Sequence, residues 1–146
     1  MFAHILLPSD GSPLCESAVQ RGMDFAKGVN ARVTAFHAIP EYKLIPYEGW
    51  VPDAETLERF EAAPRTKANE ILARIQVMAD EAGVPCQCVS LVSDHPYDAI
   101  IQAAEQNGCD LIMMASHGRR GLAGLLLGSE TQKVLTHTNI PVLVYR

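Results

Sequence analysis

Asp110-Leu111-Ile112-Met113-Met114-Ala115 is the stretch on which the fold turns, because four consecutive large apolar residues stand in it without any polar alternation. A strand of that kind is covered on both faces, as happens in parallel sheets flanked by helices. Working outward from it, apolar runs predict further strands over Ala3 to Pro8, Arg32 to Ile39, Cys86 to Val92 and Pro141 to Tyr145. Between them the period changes. Ser12-Pro13 supplies an N-cap with proline in the first turn, and Cys15, Ala18, Val19, Gly22, Met23 and Ala26 follow at three-and-four spacing to a stop near Gly28.

Residues 40 to 52 fit neither period and predict a surface loop, with Trp50, Tyr42 and Tyr47 forming a small local cluster. A helical pattern resumes near Asp53. Pro64 is expected to divide a short leading helix from a longer one striped by Ala68, Ile71, Leu72, Ile75, Met78 and Ala79, and Gly83 and Pro85 stop it. Helices are also predicted over Pro96 to Gln106 and from Ser129 to about Thr136. Five strands alternating with four helical regions predict an α/β fold: one domain over residues 1–146, an open five-stranded, mostly parallel, Rossmann-like sheet with helices on both faces.

Composition agrees with that class. The 146 residues are 48% hydrophobic and 20% charged, the balance of a soluble globular chain. The net charge of −5 is spread without a basic stripe, which argues against nucleic acid as a partner. No apolar run approaches the roughly 18 to 20 residues that span a bilayer, and Met1-Phe2-Ala3-His4 lacks the charged segment of a secretory leader. A cytoplasmic protein with no membrane partner is the expectation. Cys15, Cys86, Cys88 and Cys109 form no CxxC pair, and Cys86 and Cys88 share one face of their strand; reduced, mostly buried thiols are expected.

Ligands of open parallel sheets bind beyond the carboxyl ends of strands, where strand order reverses. That rule selects the loops after the first and fourth strands. The first reads Ser9-Asp10-Gly11; the second runs from Ser116 to Gly128, where Gly118, Gly121, Gly124 and Gly128 keep the backbone open and Arg119 and Arg120 add two cations. A helix beginning at Ser129 aims the free N–H groups of Ser129, Glu130 and Thr131, and the positive end of its dipole, at the same place. This is the outline of a polyphosphate cradle. Ser129-Glu130-Thr131-Gln132 also reads as a capping box in which those donors are satisfied internally, and both readings stand at this point. His117 offers a phosphate ligand or an acid–base group, or is simply an exposed loop residue, and no spacing joins it to Ser116 and a carboxylate as a catalytic unit. No paired-cysteine or HExxH frame supports zinc, and no Walker loop or GxGxxG supports fast phosphoryl transfer.

Over essentially its whole length the chain resembles the universal stress protein family. The resemblance rests on Pro8-Ser9-Asp10-Gly11-Ser12 and on Gly118, a nine-residue gap, Gly128 and Ser129, which match the family's Gly, two residues, Gly, nine residues, Gly-Ser signature. Ala115 stands where that signature has its first glycine. A methyl fits there if φ is negative, and costs about 1 kcal/mol or more if φ must be positive.

The resemblance implies ATP or another adenylate lying across the strand ends, with adenine near Pro8, Ala38 and Met114. It implies Asp10 on the ribose side or at an Mg²⁺ or Mn²⁺ ion, and the phosphates at Gly118, Gly128, Ser129 and Glu130. Asp10 also reads as a turn residue bonded to the backbone ahead of Ser12. The resemblance further implies a homodimer across the last strand, Val142, Leu143 and Val144. The implied role is a nucleotide-dependent stress-response regulator acting on an unidentified protein partner. A slow Mg-dependent hydrolase and a nucleotide-free interaction module are the alternatives.

Overall fold

The computed structural model describes residues 1–119 and 126–146. In chain order it contains β1 (His4–Pro8), α1 (Pro13–Val29), β2 (Arg32–Ile39), α2 (Ala54–Ala82), β3 (Cys86–Val92), α3 (Pro96–Gln106), β4 (Leu111–Ala115), α4 (Ser129–His137) and β5 (Val142–Tyr145). The strands form one sheet in the order β3-β2-β1-β4-β5, with every pairing parallel. The chain therefore winds outward from β1 to β3, then returns beside β1 as β4. That reversal parts the loops after β1 and β4 at the sheet's carboxyl edge, and Gly11 and the residues after Ala115 lie there.

Strand alternation sorts the apolar residues onto two faces. Ile5, Leu7, Val33, Ala35, Leu111 and Met113 pack under α1 and α2 with Val19, Met23, Ile71 and Ile75. Leu6, Phe36, Ile112 and Met114 face α3 and α4 with Ile100, Ala103 and Val134. The unbroken apolar run of β4 is thus buried on both sides, the condition from which the parallel sheet was inferred. Gly22 lets α1 close on β1: a Cβ there would stand 2.5 Å from Leu7 Cδ2.

Helix termini follow their local chemistry. Ser12 Oγ accepts the Cys15 N–H at 3.4 Å, and Asn30 closes α1 in the left-handed region at φ 57°. Asp53 Oδ1 accepts the Thr56 N–H at 2.7 Å to open α2, and Gly83 closes it at φ 71°.

Two expectations are corrected here. Pro64 does not divide α2, which runs unbroken from Ala54 to Ala82. Proline removes the N–H that would reach the Phe60 carbonyl. The turns around it are largely exposed, and the Asp53 cap holds the leading end, so one missing bond does not end the helix. The cysteines are not mostly buried: Cys15 and Cys109 are, but Cys86 is half-buried and Cys88 exposed. They lie on β3, which the strand order puts at an edge of the sheet, where the flanking helices give less cover. In the segment before α2, Tyr47 and Trp50 stack at 5.5 Å, whereas Tyr42 packs edge-on against Phe60 at 6.0 Å.

Candidate functional site

The two selected loops meet. Asp10 joins them through both carboxylate oxygens: Oδ1 accepts the Ser12 N–H and Oδ2 accepts the Arg119 N–H, each at 2.8 Å. Burial alone would raise the Asp10 carboxyl, but its hydrogen bonds from Ser12 and Arg119 outweigh that and hold it below its ordinary 3.8. Ser9 is buried and committed to the turn. Its N–H donates to Phe36 O at 2.9 Å, its Oγ accepts the Gly11 N–H at 3.1 Å, and its carbonyl accepts from His37 Nδ1 at 2.7 Å. Gly11 has φ +78°, a conformation that side chains rarely adopt.

After β4, Ser116 is buried and its Oγ lies 3.2 Å from His117 Nδ1. Among the described residues no carboxylate hydrogen-bonds to His117, so the pair lacks the orienting third group of a nucleophilic site. Gly118 lies directly against the Asp10 carboxylate, and a Cβ on it would collide with Asp10 Oδ2. Gly128 is close-packed to a lesser degree, since a Cβ would stand 3.0 Å from His117 Cβ and 3.1 Å from His117 Cα. Both glycines let the β4 loop pack closely against the chain's own Asp10 and His117.

Gly128, not Ser129, occupies the N-cap of α4, and no side chain caps the helix. The capping-box reading is therefore corrected: Ser129 is already the first helical residue, and Gln132 donates from Nε2 to Leu127 O at 3.1 Å. The first intrahelical bond runs from Gln132 N–H to Gly128 O at 3.0 Å, leaving the amides of Ser129, Glu130 and Thr131 ahead of it. Two side chains anchor this start. Thr131 Oγ1 donates to Ala115 O at 3.0 Å, and Glu130 turns away to accept the Tyr97 N–H at 2.8 Å, capping α3 where its own N-cap, His95, makes no side-chain bond.

Pro8, Ala38 and Met114 lie at the carboxyl ends of three adjacent strands. Pro8 and Met114 are buried and Ala38 half-buried. The open cleft, about 620 Å³, is instead lined by Gly11 to Leu14 and His117 to Arg119. Pro13 and Leu14 were missed. The sequence marks Pro13 only as a helix start, and the first turn of α1 lines the cleft because the Asp10 bridge brings the β4 loop against it. Ala115 is in regular strand, paired with Tyr145, without positive φ, and its methyl packs against Cys15 and Ala18. It is unstrained. Arg120, Gly121 and Gly124 lie outside the described residues.

A parallel sheet that winds outward from β1 in both directions, with its switch point between β1 and β4, defines the doubly wound α/β class. Within it the chain belongs to the universal stress protein family, whose family model matches residues 1–146. A Thermus aquaticus universal stress protein is 32% identical over 149 residues, covering 100% of both chains. The solved structure of MJ0577, a universal stress protein of Methanocaldococcus jannaschii, superposes with a TM-score of 0.76 at 29% identity, covering 99% of this chain and 95% of that one. A universal stress protein solved in complex with cAMP has a TM-score of 0.72 at 24% identity, covering 99% of this chain and 97% of that one. Among the described residues no helix is long and apolar enough to cross a membrane.

Proposed function

We propose that this chain binds an adenine nucleotide, ATP or a related adenylate, across the carboxyl edge of the sheet, and that occupancy regulates a protein partner in a stress response. The observation that carries this reading is the start of α4: Gly128 at the cap, no capping side chain, and the amides of Ser129, Glu130 and Thr131 ahead of the first helical bond. Such donors, with the helix dipole, favour phosphate oxygens. The glycines support it indirectly: without a Cβ at position 118 or 128 the β4 loop packs against Asp10 and His117 and holds the start of α4 beside the cleft. The cAMP complex of a structural neighbour supports the nucleotide class.

The roles divide by position. Main-chain amides and the Ser129 hydroxyl receive phosphate, with the Arg119 cation nearby. Pro8, Ala38 and Met114 border the base side, where half-buried Ala38 is the one of the three with open apolar surface. Asp10 would meet the ribose side or, as the carboxylate at the site, would help to hold a hard divalent cation, Mg²⁺ or Mn²⁺, which would offset phosphate charge. Asp10 already accepts two N–H groups, so its first duty is to join the loops. Among the described residues no carboxylate orients His117 toward an attacking water, which supports a binding role over rapid hydrolysis.

The edge position of β5 supports a homodimer through Val142, Leu143 and Val144, whose outer backbone groups are open to a second copy. Release of bound nucleotide on denaturing freshly purified protein, read by mass spectrometry, together with calorimetric titration with Mg-ATP, AMP and cAMP, tests the reading. No release and no heat with any of them would overturn it.

A further inference from the structure

Cys86 and Cys88 lie outside this site, on the opposite side of β2 from the switch point. In the β3–β2 register Cys86 pairs with Val33 and Cys88 with Ala35, both core residues under α1 and α2, so the two thiols face α2 together. Cys88 Sγ lies 3.6 Å from Leu72 O and 3.7 Å from Gln76 Oε1, and it opens onto a cavity of about 330 Å³. Cys86 sits beside it, half-buried against the same core.

The spacing discriminates among thiol chemistries. Two residues along a strand advance about 6.6 Å, whereas a disulfide needs Cβ atoms roughly 3.5–4.5 Å apart. Direct oxidation would therefore distort the strand. A d¹⁰ ion with two metal–sulfur bonds of about 2.3 Å sets its sulfurs about 4.6 Å apart, within reach of side chains that lean toward one another. Burial, with a contribution from Cys88, pushes the Cys86 thiol up to about 11, so the free pair is protonated rather than nucleophilic. Among the described residues no three His, Cys, Asp or Glu side chains gather to hold an ion, which excludes a tetrahedral zinc cage there.

We propose that Cys86 and Cys88 form a two-thiolate site for a soft monovalent d¹⁰ cation of the Cu(I) and Ag(I) class, held linearly between β3 and α2. Soft thiolates select such ions. Each S–H bond breaks as an S–metal bond forms, so two protons leave per ion and neither sulfur nor metal changes oxidation state.

Titration of the full chain with Ag⁺, with bound ion, released protons and X-ray absorption measured, tests this. The expected result is one ion per chain, two protons released and two sulfur neighbours. Cys88→Ser, at an exposed position, and Cys86→Ser each weaken binding by about 100-fold or more, since even outer-shell losses cost about 10- to 100-fold. Cys15→Ser and Cys109→Ser leave it unchanged. Release of one proton, or full affinity in Cys88→Ser with its fold intact by circular dichroism, would overturn the proposal. Adenine nucleotide binding plays no part in this test.

Discussion

Gly118→Ala, combined with Asp10→Ala in a double-mutant cycle, probes the junction on which the site depends. Gly118 has no positive φ, so alanine suits its backbone, and by restricting the unfolded chain it should add about 0.4–1 kcal/mol of stability. Against this, the new methyl collides with Asp10 Oδ2, which already accepts the Arg119 N–H at 2.8 Å. Losing a hydrogen bond to a charged group costs about 1.5–3 kcal/mol. The net expectation is a loss of about 1–2 kcal/mol, or roughly 3–6 °C in Tm for a chain of this size. In an Asp10→Ala background the obstacle is gone, so the same substitution should be neutral or slightly stabilising. Urea denaturation of the four proteins gives the coupling directly. An equal cost of Gly118→Ala in both backgrounds would show that the collision with Asp10 is not what position 118 avoids.

Further expectations concern stability and assembly. Burial first, then the nearby Arg32 charge, lowers the His4 pKa below 6.5, while Nε2 stays 2.7 Å from Thr34 Oγ1. The unfolded chain takes up that proton first, so stability should decline as pH falls below about 6.5 and level off below the folded pKa, and His4→Gln should flatten that slope in denaturation against pH. Asp10 acts at lower pH: its depressed pKa makes a contribution present above 3.8 and lost as pH falls through the folded value, which Asp10→Asn should remove. Gly128→Val should abolish nucleotide heat in calorimetry while circular dichroism stays folded, because a larger side chain pushes against His117; undiminished heat would remove the cradle. For the proposed dimer, Leu143→Lys, on the exposed face of β5, should shift sedimentation toward monomer, and an unchanged mass would reject pairing through this strand.

The elements most legible in the sequence were those whose burial and backbone needs are local. The α1 stripe from Cys15 to Ala26 is the buried face of that helix, and the unbroken apolar run of β4 is covered on both sides. Where reading failed, a neighbour distant in sequence decided. The Ser129 capping box was plausible by spacing, yet Gly128 N–H bonds to Ser116 O and Thr131 Oγ1 to Ala115 O, which fixes the helix start one residue earlier than the capping box requires. Pro64 announced a break that one missing hydrogen bond cannot force when the turns beside it are intact.

Periodicity and turn chemistry, properties of neighbours along the chain, were enough to determine the strand and helix order and the parallel sheet, and they single out the loops after β1 and β4 that the fold brings together. Only the folded chain decided that Asp10 spans 109 residues to hold Arg119, that Glu130 caps α3 rather than its own helix, and that Cys88 stands at an open edge. The physical reason is that a side chain's partners are set by strand order and by which elements crowd its face, and a linear pattern of apolar residues carries neither.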